Sequence, residues 1–206
     1  MTWAGFLALL AKASSVTLVG PLHDTPVTPD EPTIFVDGGS QFRVKVEKFP
    51  TISVGDGDSG STLDVTLSPE KDFSDLAFVL RELPRQVVKA QLLGFLGGRL
   101  DHELANLGEL QQFLLDRPRG ARVEMRRSGR AEVIGFTGSA TLDIQGLFSV
   151  IVLEASVVTI SGECRYKLSG GDPLVPGSSH GLSNIGRGRV TVASDGPCFI
   201  FLIADA

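Results

Sequence analysis

Cysteine is nearly absent from the 206 residues: only Cys164 and Cys198 occur. Two thiols make neither a disulfide framework nor a zinc site, and the expected setting is a reducing cytoplasm. Positive charge is also scarce. The net charge of −5 argues against a nonspecific grip on nucleic acid. Long apolar runs are missing too. Trp3 to Leu10 is too short to span a membrane and has no basic residue before it, so it reads as a packed first helix or strand. The phosphate loop Gly-x-x-x-x-Gly-Lys-Ser/Thr and the Gly-x-Ser-x-Gly elbow are both absent. His102-Glu103 begins like a zinc-protease helix, but Asn106 stands where the second histidine must be. His23, His102 and His180 show no ligand spacing, which leaves His102 as a supporting group rather than a base.

What is present suits a globular protein with a real core, since 42% of residues are hydrophobic and 21% charged. Up to about Asp116, strand and helix patterns alternate. Thr33 to Val36 and Thr51 to Val54 are short β-type runs, each stopped by a glycine-bearing turn. Ser74 opens a helical pattern with Leu76, Val79, Leu80 and Leu83 on one face, closed by Pro84. Val87 to Phe95 reads as a buried strand. Asp101 to Leu115 is the clearest helix, with Leu104, Leu107, Leu110 and Leu114 at helical spacing. Alternation of this kind predicts an α/β layer with a mostly parallel sheet and helices on both faces.

After Arg117-Pro118-Arg119-Gly120 the pattern becomes short β-type runs between glycine, serine and proline turns, Ser128-Gly129 and Asp195-Gly196 among them. The expectation is an α/β domain over residues 1–117 and an all-β sandwich or partly closed barrel over 118–206. Arg117, Arg119, Arg122, Arg126, Arg127 and Arg130 cluster at this boundary. They read as a solvated linker and hairpin edge, with a phosphate-binding strip as the alternative.

Ligands of open α/β sheets bind beyond the carboxyl ends of the strands. Three short segments fall there: Asp37-Gly38-Gly39, Gly55-Asp56-Gly57-Asp58-Ser59 and Gly97-Gly98-Arg99-Leu100-Asp101. A fourth, Lys71-Asp72-Phe73-Ser74-Asp75, sits at a helix start. Glycines let backbone approach a ligand and offer amides to phosphate. Carboxylates at several loop ends suit a hard divalent cation such as Mg²⁺. Taken singly, each segment is as well explained by a turn or a helix cap, with Ser74, Asp72 or Asp101 as the capping residue. An EF-hand loop fails over 56–67, because Ser61 takes the place of its glycine and Leu67 that of its glutamate. An Asp-x-Asp pair of the glycosyltransferase kind stays open for Asp56 and Asp58.

The order of these segments, ending in Gly97-Gly98-Arg99-Leu100-Asp101-His102 and Ala105-Asn106-Leu107, resembles the thiamine pyrophosphokinase family. In the second half, Arg165-Tyr166-Lys167-Leu168 and Gly181-Leu182-Ser183-Asn184 look like the family's Lys-Tyr-Pro-Leu and Gly-x-Ser-Asn. The resemblance covers roughly residues 30 to 203. It implies a homodimer that transfers pyrophosphate from Mg·ATP to thiamine, giving thiamine diphosphate and AMP. By matching position, it implies that Asp56, Asp58 and Asp75 hold or surround Mg²⁺. Asp37, Gly38, Gly39, Ser59, Lys71, Asp72 and Ser74 would line the nucleotide site. Arg99 and Asp101 would join the phosphate site as catalytic groups. Ser183 and Asn184 would lie near thiamine at the dimer interface. Gly57 replaces the family's aromatic, Ser74 replaces threonine, and the stretch from Gly39 to Gly55 is shorter than the family's. Other readings with this architecture are a pyrophosphokinase for another alcohol, such as a hydroxymethyl pterin, and a non-catalytic binding homologue. Neither a membrane nor a nucleic-acid partner is expected.

Overall fold

The computed structural model describes residues 1–44, 48–58 and 62–203. Helix α1, Trp3–Leu9, starts where the Thr2 hydroxyl accepts from the Gly5 amide at 3.2 Å. It leads to β1, Ser15–Val19. Strands β2 (Thr33–Val36), β3 (Thr51–Gly55), β4 (Val65–Thr66), β5 (Lys89–Leu93) and β6 (Arg122–Arg127) complete a parallel set in the order β4-β3-β2-β1-β5-β6. Helix α2, Asp75–Glu82, is capped by Ser74, whose Oγ accepts from the Ala77 amide at 3.1 Å. That settles the cap between Ser74 and Asp72. Helix α3 is Leu100–Leu115.

Strand side chains alternate between faces, so burial tells which face each helix covers. Val16, Leu18, Ile34, Val36, Ile52, Val54, Ala90, Leu92, Val123 and Met125 share one core with Phe6 of α1, Leu76, Val79 and Leu80 of α2, and Leu110, Phe113 and Leu114 of α3. All three helices therefore lie on one face, and the expectation of helices on both faces is corrected. Towards β5 and β6 the other face carries Ser15, Lys89, Gln91, Arg122 and Glu124, residues that need no apolar cover, whereas over β1–β3 it is covered, with Val19, Thr33, Phe35 and Ser53 buried. Thr17 and Ser15 donate to Glu31 there, Thr17 at 2.6 Å. Strand β5 is consequently half-exposed rather than buried throughout, with Lys89 and Gln91 outward. Leu104 of α3 also departs from expectation. It is 59% exposed, because α3 turns only its later face, with Leu110 and Leu114, onto the sheet.

Strand β6 turns through Ser128-Gly129 into β7, Arg130–Ile151. Both turn residues have positive φ, 47° and 78°, the requirement of a tight two-residue hairpin. Strands β8 (Val158–Cys164), β9 (Leu168–Ser169) and β10 (Asn184–Leu202) follow. No helix follows Leu115 among the described residues. The expected second sheet is not separate: β6 pairs with β7, so all ten strands form one mixed sheet continuing β6-β7-β10-β8-β9. Strand β7 curls round β10. Ile200 faces Ile134 on one side and Val150 on the other, which gives the second half its own core of Ile134, Phe136, Phe148, Val190, Val192 and Ile200. No helix among the described residues is long and apolar enough to cross a membrane. In the shortened stretch, Val44-Lys45-Val46-Glu47 alternates in sequence as a strand would, and residues 45–47 lie outside the described ones.

Candidate active site

The carboxyl ends of β2, β3 and β5 open onto a cleft of about 460 Å³, the location expected for an open α/β sheet. Asp37 leaves β2 with φ 50°, a left-handed conformation that costs a residue with a Cβ free energy and tends to persist at functional sites. Two glycines make room for it. A Cβ on Gly55 would stand 2.9 Å from the Asp37 Cα, and one on Gly39 would stand 2.1 Å from the Val19 carbonyl oxygen. Gly38 and Gly39 are buried beneath the turn.

This turn brings Asp37 to the Asp-x-Asp pair that follows β3. Oxygens of Asp37, Asp56 and Asp58 all lie within 4.8 Å of one another. The Asp37 Oδ1 is buried with no hydrogen-bond partner among the described residues. Asp56 accepts from the Asp58 amide at 3.2 Å and from Lys71 Nζ at 3.2 Å. The Asp58 amide and Lys71 lower its pKa against the opposing effect of burial. The charges of Asp37 and Asp56 raise the pKa of Asp58, which is exposed. An all-oxygen donor set, an orphaned carboxylate oxygen and mutual repulsion together fit a hard divalent cation such as Mg²⁺.

Lys71 lies beside the cluster. Its Nζ is 2.9 Å from Asp75 and 3.2 Å from Asp56. Burial works to lower its pKa, but Asp75 and Asp56 outweigh it, and the net shift is upward. Burial, joined by the charges of Asp56 and Asp37, raises the pKa of Asp75 against the lowering effect of Lys71. Asp75 was expected beside Asp56 and Asp58 as a metal carboxylate. In the structure Asp37 completes that trio, and Asp75 lines the same cleft on the arm of Lys71.

On the far wall the amides of Gly97 and Gly98 both donate to Glu103 Oε1, at 2.5 and 3.0 Å. These amides are thus already satisfied by a carboxylate from the first turn of α3, where negative charge also meets the helix dipole. Asp101 does not cap α3, as one reading had it. It binds Arg99 at the rim, at 3.1 and 2.6 Å, and that pairing holds its pKa down to about 2. Arg99, His102, Glu103 and Asn106 line the cleft, with Leu22, Phe73 and Phe95 as apolar walls. The first-turn position of Glu103 after a glycine pair was the available signal for its capping role. Nothing in the local sequence marked Leu22.

Other expected site residues fall differently. Ser74 lines the cleft but spends its hydroxyl on the α2 cap. Asp72 is exposed and does not line it. Ser59 lies outside the described residues. Ser183 and Asn184 are not part of this cleft. Ser183 is exposed with φ 59°. Asn184 is buried, and its amide group clamps the chain: Oδ1 accepts from the Tyr166 and Ile185 amides at 3.0 and 2.8 Å, and Nδ2 donates to the Tyr166 carbonyl at 2.6 Å.

No protein-family model matches the sequence, and no curated protein matches it closely enough to be informative. Solved structures do match. The thiamine pyrophosphokinase from Bacillus subtilis superposes with a TM-score of 0.66 at 19% identity, over 93% of this chain and 100% of that one. The enzyme from Geobacillus thermodenitrificans gives 0.64 at 22%, over 93% and 98%. That from Candida albicans gives 0.62 at 13%, over 95% and 89%. At these identities the likeness is one of fold, and the fold is the one that the sequence resemblance implies.

Proposed function

We propose that this chain transfers a pyrophosphoryl group from Mg·ATP to the primary alcohol of thiamine, releasing AMP. The observation that carries the reading is the convergence of Asp37, Asp56 and Asp58 at the carboxyl edge of a sheet folded like known thiamine pyrophosphokinases. Asp37, Asp56 and Asp58 would hold Mg²⁺. The bound ion would draw charge from the phosphate oxygens as the bond from the β-phosphorus to the leaving oxygen breaks.

The chain's own groups do the positioning. Lys71 sets Asp56 from one side while the Asp58 amide sets it from the other, so the carboxylate presents a fixed face to the ligand. Arg99 stands at the rim, where a released Asp101 frees it to meet phosphate. Leu22, Phe73 and Phe95 exclude water from one wall. Ser183, exposed and outside the cleft, would meet thiamine only if a second copy brings its own cleft alongside, and a homodimer is part of this proposal. Other acceptor alcohols have no observation in their favour.

The test is incubation with Mg·ATP and thiamine, with AMP as the readout and sedimentation for the assembly state. Thiamine-dependent AMP release that stops on chelation supports the reading. AMP release with a hydroxymethyl pterin and not with thiamine would replace the acceptor. No acceptor-dependent AMP at all would end it.

A further inference from the structure

Phe73 stands just ahead of α2, between Lys71, which bonds Asp56 at 3.2 Å, and Asp75, which bonds Lys71 at 2.9 Å. Its ring is half-buried and braced from α2. Phe78 lies nearly parallel to it, 14° off with centroids 6.4 Å apart, and rests in turn on Trp3 at 5.4 Å. The Arg81 guanidinium stands over the ring, 5.6 Å from its centroid, and Glu109 of α3 holds that guanidinium at 3.2 and 3.4 Å. What remains of the ring's surface lines the cleft. Asn106 precedes Glu109 by three residues, so the two share a face of α3, with Asn106 one turn nearer the start of the helix. Its side chain lines the cleft as well. Ring and carboxamide therefore border one gap between the start of α2 and the first half of α3.

Most polar side chains of the cleft are engaged elsewhere. Lys71 binds Asp56 and Asp75, Ser74 caps α2, Glu103 takes the loop amides and Arg99 pairs with Asp101. Asn106 is half-buried, and its carboxamide makes no hydrogen bond among the described residues. A free carboxamide beside an aromatic ring, with Leu76 and Phe95 completing the apolar lining, fits a flat, nitrogen-rich ring. The carboxamide carries a donor and an acceptor side by side. Adenine offers the complementary pair, an amino group next to a ring nitrogen, whereas guanine has a carbonyl where that amino group stands. The same cleft holds Asp37, Asp56 and Asp58, so the polyphosphate of a nucleotide seated here has its cation site in the same opening.

We propose that this gap is the nucleobase subsite, with Phe73 as the platform for the ring and Asn106 reading the adenine edge. The inference rests on the nucleotide reading of the cleft. Its test is calorimetric titration of Mg·ATP, Mg·GTP, Mg·tripolyphosphate and thiamine into the wild-type chain, Phe73→Ala, Phe73→Tyr and Asn106→Leu. Phe73→Ala should weaken Mg·ATP by about tenfold, and Phe73→Tyr should restore most of the loss. The wild-type chain should prefer Mg·ATP to Mg·GTP by about tenfold, and Asn106→Leu should erase that preference. Mg·tripolyphosphate, which has no base, should bind all four proteins alike. Normal wild-type Mg·ATP binding that is unchanged in Phe73→Ala brings down this inference alone. An equal loss of Mg·tripolyphosphate also overturns it, because the two residues would then only hold the cleft in shape. A loss confined to thiamine gives the gap to the acceptor and overturns it too. A wild-type chain that binds neither Mg·ATP nor Mg·tripolyphosphate brings down the reading of the cleft together with this inference.

Discussion

Lys71 and Asp75 face each other across 2.9 Å at the mouth of α2, both about nine-tenths covered. Each would be costly alone: a largely buried charge without its partner loses the compensation for leaving water. Lys71→Met should therefore destabilise the fold by about 2–3 kcal/mol. It should also raise the proton affinity of Asp75 further, since burial already pushes it up and Lys71 opposes that. Denaturant unfolding at pH 5 and pH 8 checks this. The loss should be smaller at pH 5, where Asp75 takes up a proton more readily.

Asp58→Asn removes one charge from the trio and keeps its shape. Turnover should fall by about 10²-fold or more. The chain without ligand should be no less stable than wild type, because the substitution relieves repulsion from Asp37 and Asp56. The rise in melting temperature on adding Mg·ATP should largely vanish. Thermal scans with and without Mg·ATP decide it, and an undiminished rise would show that Asp58 holds no metal.

Asp64 gathers the amide and hydroxyl of Ser53, the guanidinium of Arg43 and, at 3.5 Å, the amino group of Met1. Burial alone would raise its pKa, but Ser53 and Arg43 prevail and the shift is downward. A carboxylate whose folded pKa is depressed stabilises the fold above its unfolded value, and that contribution disappears as pH falls through the folded one. Asp64→Asn should cost about 1–3 kcal/mol at neutral pH and should flatten the acid limb of the stability curve below about pH 4. Equal acid limbs in the two proteins would rule this account out.

Asn184→Ala leaves the Tyr166 amide and carbonyl without their partner, at a cost of about 2–3 kcal/mol. Asn184→Asp should cost a comparable amount, because it sets a carboxylate oxygen against the Tyr166 carbonyl. Melting temperatures of both variants test the clamp. A tolerant Asn184→Asp would mean that the donor to Tyr166 contributes little.

Much of this was legible because the controlling forces are local. The Ser74 cap and the Leu76-Val79-Leu80 face define α2 from sequence alone, and glycine-bounded acidic segments mark strand ends. The rest depends on what meets across the fold. The bend at Asp37 that carries it to Asp56 and Asp58 needs Gly55 and Gly39 from separate segments. The open part of the sheet at β5 is encoded in alternate residues such as Lys89 and Gln91, but a strand pattern does not say which elements will cover each face. The Asn184 clamp joins residues 18 positions apart, beyond the reach of a local pattern.

Strand β10 ends with neighbours assigned to opposite sides: Phe199 belongs to the core under the helices, Ile200 to the core enclosed by β7. Phe6 shares the first of these cores, so the start of the chain and its last strand meet in one packed cluster. Neither half can release its interior without pulling the same strand from the other. The molecule should therefore melt in one calorimetric transition despite its two interiors, and a Phe199→Ala change should lower that single transition without splitting it. The same arrangement makes folding wait on contacts that span almost the whole sequence, which places this chain among slow folders for its size.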